Sequence, residues 1–306
     1  MSEVHAGMIT GAFRRLQDDI CRVLEEADGG GSFREDLWER PGGGGGRTRI
    51  LEGARIEKGG VNFSAVQGQM PEKIARALDV EPAAFLATGV SIVLHPVSPR
   101  VPIIHMNVRY FELEEGPWWF GGGIDLTPHY VDVGQAAWFH RQLKAVCDRH
   151  HPDYYDRFKT WADEYFYLKH RRETRGVGGI FFDRLQEPDC ERAFAFVRDV
   201  GEAFAPIYLH LLQQNQDMPY GEREQQWQRL RRGRYVEFNL VWDKGTKFGL
   251  DTQGRTESIL MSLPPLAAWH YDHKPAPQSK EAETIAWLRK DVDWVAQGES
   301  KNETDR

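Results

Sequence analysis

Apolar residues near the start of the chain fall at helical spacing. Ile9, Phe13, Leu16, Ile20, Val23 and Leu24 predict an amphipathic helix over residues 6–27, closed by Gly29-Gly30-Gly31. The period then changes. Segments 90–97 and 101–113 are rich in Val and Ile and flank the turn Ser98-Pro99-Arg100, as expected of two neighbouring strands. Helical patterns return over about 132–150, 152–170, 189–216 and 222–232. Alternation resumes at Tyr235–Trp242, Lys247–Leu250 and Thr256–Met261, read as strands, and a last helix is expected over 280–290. Strands in early and late blocks with helices between them favour an α+β fold with an antiparallel sheet over βαβ repeats. No internal repeat is present. The expected organisation is one domain over 1–298 and a polar tail over 299–306.

Polar residues interrupt the strands in a regular way. Side chains alternate faces along a strand, so His105, Asn107 and Arg109 share one face while Ile104, Met106, Val108 and Tyr110 take the other. Ser91, Val93 and His95 share a face of the preceding strand. One reading is a solvated sheet face. The other is a surface where arginine pairs with carboxylates and histidine moves protons. In the later expected strand, Val236, Phe238, Leu240 and Trp242 make an apolar face opposite Tyr235, Glu237, Asn239, Val241 and Asp243. Asp243 before Lys244-Gly245 reads either as a turn former or as a carboxylate that holds a heterocycle N–H or acts as a base. His140 and His170 fall on separate expected helices. With His95 and His105 they would make a divalent-metal site only if the fold gathered them, since no HExxH spacing supports one.

Composition narrows the class. The chain has 306 residues, 41% of them hydrophobic, enough for a substantial core. A net charge of −7 gives no basic footprint for nucleic acid. Cys21, Cys147 and Cys190 lie far apart, which argues against a zinc ribbon or iron–sulfur site and fits a reducing compartment. No apolar stretch is long enough for a membrane span, and the opening residues lack a signal-peptide core, so a cytoplasmic protein is expected. The run Pro41–Gly46 between Arg40 and Arg47 reads equally as a flexible linker and as a loop whose bare amides fold over an anion. No GxGxxG in a strand–turn–helix setting, GxxxxGK[ST] or GxSxG occurs, so nucleotide, flavin and serine-hydrolase chemistry lack support.

Seven segments together resemble the aerobic, oxygen-dependent coproporphyrinogen III oxidase family: GGGGGRTRI (42–50), GVNFS (60–64), HMNVR (105–109), WWFGGGIDLTP (118–128), DEYFYLKHRRETRGVGGIFFDR (163–184), RRGRYVEFNLVWDKGTKFGL (231–250) and GRTESILMSLP (254–264). The resemblance implies a large, mostly antiparallel sheet with helices on both faces. It implies oxidative decarboxylation of two propionates of coproporphyrinogen III with O2 as co-substrate and no organic cofactor. The products would be protoporphyrinogen IX, CO2 and H2O2. It further implies a homodimer formed through about residues 235–270, with substrate binding by Ser91, Asn107, Val108, Arg109, Gln253, Gly254 and Arg255. His105 matches a proton donor, Asp243 a carboxylate facing the pyrrole N–H groups, and Arg109 joins them as a catalytic candidate. His95, His105, His140 and His170 match positions assigned to a divalent metal in some members. Lys244 stands where arginine is usual. Two other readings are a His-ligated metal-dependent oxygenase, which chelation would inactivate, and a non-catalytic tetrapyrrole-binding protein, which would bind without turnover.

Overall fold

The computed structural model describes residues 3–297 except 71, 73, 74, 77, 78, 252 and 253. The expected first helix is present as α1 (Glu3–Asp28). It buries Ile9, Phe13, Leu16, Ile20 and Leu24, none more than 9% exposed, and side chains of this kind contribute about 1.5–3 kcal/mol each when fully buried.

Six strands then follow as a meander: β1 (Arg34–Glu39), β2 (Gly44–Leu51), β3 (Ile56–Gln69), β4 (Ala84–Pro96), β5 (Ile103–Leu113) and β6 (Trp118–Thr127). Two helices, α2 (Val133–Asp148) and α3 (Tyr154–Tyr165), and a short ribbon, β7 (Tyr167–Leu168) with β8 (Glu173–Thr174), separate them from β9 (Gly178–Leu185). Strand β9 pairs with β6, giving one sheet in the order β1-β2-β3-β4-β5-β6-β9 with every pairing antiparallel. The α+β expectation with a large antiparallel sheet holds.

The Gly42–Gly46 run is not a flexible linker. Gly44, Gly45 and Gly46 open β2 and pair with Val66, Ala65 and Ser64 of β3. A Cβ on Gly46 would stand 2.1 Å from the Trp38 indole, so glycine there lets Trp38 of β1 lie flat on its cross-strand partner.

The sheet's two faces differ in chemistry. Val61, Val90, Ile92, Leu94, Ile104, Met106, Val108, Tyr110, Phe120 and Ile124 are all buried and join the main core with α1 and α4 (Cys190–Asn215). The opposite face carries Ser91, His95, His105, Asn107, Arg109 and Asp125. Part of it is covered by the chain after α5 (Glu222–Glu237). Ser258 meets the Thr48 hydroxyl at 2.6 Å, Lys58 Nζ donates to Leu263 O at 2.8 Å, and Met261 packs over Gly60.

The three late strands expected at 235–242, 247–250 and 256–261 do not form. Helix α5 runs on to Glu237, a π-helical turn covers Phe238–Trp242, and α6 (Lys244–Asp251) and α7 (Thr256–Leu260) follow. The alternating apolar set does not share a face: Phe238 is buried, whereas Leu240 is 44% exposed. What holds α5 is charge. Arg231 donates to Glu173 at 2.9 Å, and Arg232 donates to Glu57 at 2.6 Å and to Pro96 O at 2.8 Å, with both arginines buried. Apolar periodicity counts such residues as solvent-facing, so it shows the helix over 222–232 but not its continuation to Glu237. The expected helix over 152–170 is also shorter, and His170 sits in the turn between β7 and β8. Helix α8 (Lys280–Trp287) is the expected last long element, and α9 (Trp294–Gln297) follows it.

Candidate active site

Cross-strand register assembles the polar face. Ser91 of β4 pairs with Asn107 of β5, which pairs in turn with Gly123 of β6. His105 pairs with Asp125, and Arg109 with Gly121. Within this row, His105 Nδ1 donates to Asp125 Oδ1 at 2.7 Å. Asp125 is 1% exposed and lies against Arg175, whose NH2 group reaches both carboxylate oxygens at 2.7 and 2.8 Å. Burial opposes ionisation of Asp125, but Arg175 and His105 outweigh it and hold the carboxyl below its ordinary value.

Arg175 is itself boxed in. Its guanidinium carbon lies 4.4 Å from the Phe166 ring centroid, 4.7 Å from Tyr235 and 4.6 Å from Phe238, and NH1 donates to Asn239 Oδ1 at 2.9 Å. Aromatic faces and a carboxylate together satisfy a cation that is 3% exposed. Asp125 is thereby fixed, and with it the orientation of the His105 ring.

Asp243 ends the π turn and caps α6. Its Oδ2 accepts from the Thr246 amide and hydroxyl, both at 2.7 Å, and Oδ1 accepts from the Tyr165 hydroxyl at 2.7 Å. The turn-former reading of this residue holds, since its carboxylate caps α6 through Thr246. Burial would raise its pKa, yet the Thr246 and Tyr165 donors and the Arg175 charge hold it below the ordinary value. Tyr165 stacks on Phe181 with centroids 4.0 Å apart and feels the charge of Arg109, so it links Asp243 to the β5 row.

The remaining candidates sort by position. Arg109 NH2 bonds Asp183 Oδ1 at 3.0 Å, and Arg255 pairs with Asp36. The buried Asn107 Oδ1 has no hydrogen-bond partner, so it is an open acceptor on this face. Gly254 precedes α7, its amide donating to Gly249 O at 2.8 Å. Val108 turns its side chain into the core, so only its backbone faces the same side of the sheet as Asn107 and Arg109. Gln253 lies outside the described residues. Lys244 is exposed beside Asp243.

The four histidines do not gather. Buried His95 donates from Nε2 to Ser262 O at 2.8 Å, and burial with nearby Arg232 keeps it neutral. His140 lies on α2 in the core. Its Nε2 donates to Val177 O and its Nδ1 accepts from Tyr155, both at 2.9 Å, and burial pushes its pKa down to about 3. His170 donates to Glu237 at 2.7 Å and accepts from Trp242 at 2.8 Å. With both nitrogens of His140 and His170 committed, the set does not fit a shared metal. Among the described residues no group of three or more His, Cys, Asp or Glu side chains is placed to hold one.

Sequence reasoning did not single out Asp125, Arg175, Tyr165 or Thr246. All four lie inside the segments that carried the resemblance, and Asp125 stands one strand over from His105 once register is known.

Arginines that pair with carboxylates, a His–Asp couple and a part-buried carboxylate held below its ordinary pKa are the chemistry expected of a site for an anionic ligand that exchanges protons. The sequence profile of the coproporphyrinogen III oxidase family matches residues 8–294, and the chain belongs to that family. Its members are oxidoreductases acting in coproporphyrinogen decarboxylation in haem biosynthesis, and coproporphyrinogen III is the substrate that membership implies.

Proposed function

We propose that this chain uses O2 to convert two propionates of coproporphyrinogen III to vinyl groups. Each step consumes one O2 and one proton and releases one CO2 and one H2O2, so the chemistry needs a place to hold carboxylates and a group that supplies a proton. The observation that carries the reading is the row His105, Asn107 and Arg109 on β5, with Asp125 locking His105 at 2.7 Å and ionised Asp243 across the cleft.

In this reading Arg109 and Arg255 pair with propionates and orient the macrocycle. Asp243 accepts pyrrole N–H hydrogen bonds and stabilises positive charge as the electron-rich ring gives electrons to O2. The reduced oxygen takes a β-hydrogen of the propionate as a proton, and the C–H electron pair refills the oxidised ring. The carboxylate C–C bond then breaks, its electron pair forming the vinyl double bond as CO2 leaves. His105 supplies the remaining proton to peroxide and is reprotonated from solvent. The substrate's own electron-rich pyrrole provides the reducing power, so no organic cofactor is invoked.

The same proposal includes a cytoplasmic homodimer. Among the described residues no helix is long and apolar enough to cross a membrane. Leu240, Val241, Phe248, Leu250, Leu266 and Trp269 are 40–54% exposed, all within the 235–270 segment expected at a dimer seam. Asp243→Ala tests the chemistry: a loss of kcat/KM of at least about a hundredfold in folded protein is expected, and an unchanged value would remove Asp243 from the reaction.

A further inference from the structure

Both arginines that would receive propionates already hold a carboxylate of the chain. Arg109 NH2 bonds Asp183 Oδ1 at 3.0 Å, and Arg255 pairs with Asp36. The partners come from the two outermost strands of the sheet, Asp36 from β1 and Asp183 from β9. Gly121 makes the first pair possible. A Cβ there would stand 2.5 Å from Arg109 Nε and 2.8 Å from Asp183 Oδ1, so the bare backbone lets Arg109 lie flat across β6 to reach its acid.

These pairs are unlike the one beneath them. Arg175 and Asp125 are 3% and 1% exposed and cannot exchange partners without stranding a buried charge. Arg109 and Asp183 have side chains 41% and 34% exposed, and Arg255 and Asp36 are 35% and 38% exposed. An ion pair so open to water gains little over its solvated parts. An incoming carboxylate offers the same oxygens to the same guanidinium, so exchange is nearly balanced in energy.

We infer that Asp183 and Asp36 are resident carboxylates that propionates displace from Arg109 and Arg255. The inference rests on the proposed function and adds a selection rule to it: a tetrapyrrole enters only if it brings carboxylates to replace those it ejects. It also accounts for release. Once a propionate has left as CO2, the arginine regains its own aspartate, and the vinyl product faces a neutralised cation rather than a bare one.

The test uses coproporphyrin III, the fully oxidised tetracarboxylate, which binds without reacting, and its tetramethyl ester as a charge-neutral control. Tryptophan fluorescence quenching reads Kd. Asp183→Asn and Asp36→Asn each tighten coproporphyrin III about threefold, the double variant about tenfold, and the ester is unaffected. Asp183→Glu returns the wild-type Kd, and the same factors appear in KM for coproporphyrinogen III. Weaker or unchanged coproporphyrin binding in both single variants, or an equal gain for the ester, would overturn the exchange. Turnover of coproporphyrinogen III by the wild-type chain is measured alongside. No turnover with the tightening intact would sink the proposed reaction and leave the exchange standing, whereas turnover without tightening sinks the exchange alone.

Discussion

Asp125→Asn separates the structural and chemical demands placed on the centre of the site. The substitution keeps the side-chain volume but removes the charge that neutralises Arg175, whose NH2 lies 2.7 and 2.8 Å from the two carboxylate oxygens. Breaking a buried pair by removing one partner costs about 3–5 kcal/mol. Here the guanidinium keeps Asn239 and the faces of Phe166, Tyr235 and Phe238, so we expect the low end, about 3 kcal/mol, or a fall in Tm of about 6 °C for a chain of this size. Chemical denaturation at neutral pH measures the first quantity and calorimetry the second. His105 simultaneously loses its anionic acceptor, and kcat falls about a hundredfold or more, the scale of general acid–base assistance. The double replacement Asp125→Leu with Arg175→Met removes the stranded charge; it recovers most of the stability and none of the activity. Asp125→Asn with wild-type stability and kcat within twofold would refute the argument that this pair positions His105.

Two further outcomes follow from the electrostatics. Tyr165→Phe keeps the stack on Phe181 but removes one of the donors that depress the Asp243 pKa. The folded pKa rises, so the acid limb of the kcat/KM profile moves to higher pH; an unmoved limb would separate Asp243 from that ionisation. Glu237 accepts from His170, Arg171, Arg234 and Trp269, and the bonds from Arg171 and His170 with the charges of Arg234 and Arg171 outweigh burial to bring it down to about 2. A depressed carboxylate contributes stability above its ordinary value that is lost as pH falls through the folded pKa. Wild-type protein therefore loses stability between about pH 4.5 and about 2 through this group, and Glu237→Gln flattens that part of the stability–pH curve; an identical curve in the variant would show the cluster to be energetically idle.

The parts of the site legible in the chain were those written in side-chain alternation. Val/Ile-rich β4 and β5 announced themselves, and the shared face of His105, Asn107 and Arg109 follows from period two alone. Strands β6 and β9 did not, because their glycines carry no strand preference even though Gly121 and Gly123 are what let Arg109 and the neighbouring strand approach. The region after Tyr235 was misread for the opposite reason. Four apolar residues alternate there, but arginines buried against Glu173 and Glu57 extend the helix, and a π turn brings Asp243 to Tyr165 and Thr246. Arg175 was illegible as well. Nothing in a single sequence marks an arginine as buried among three aromatic rings, the farthest of them Phe238, 63 positions along the chain.

The proposed reaction is the oxidation of coproporphyrinogen III by molecular oxygen through these residues. Purified protein is incubated with coproporphyrinogen III in air and, separately, under rigorous anaerobiosis, with O2 uptake, CO2 release, H2O2 and porphyrin products quantified together. We predict two O2 consumed and two CO2 and two H2O2 released per protoporphyrinogen IX in air, and no product without oxygen. Decarboxylation that proceeds at the same rate under anaerobic conditions, or binding in air with no divinyl product, would contradict it.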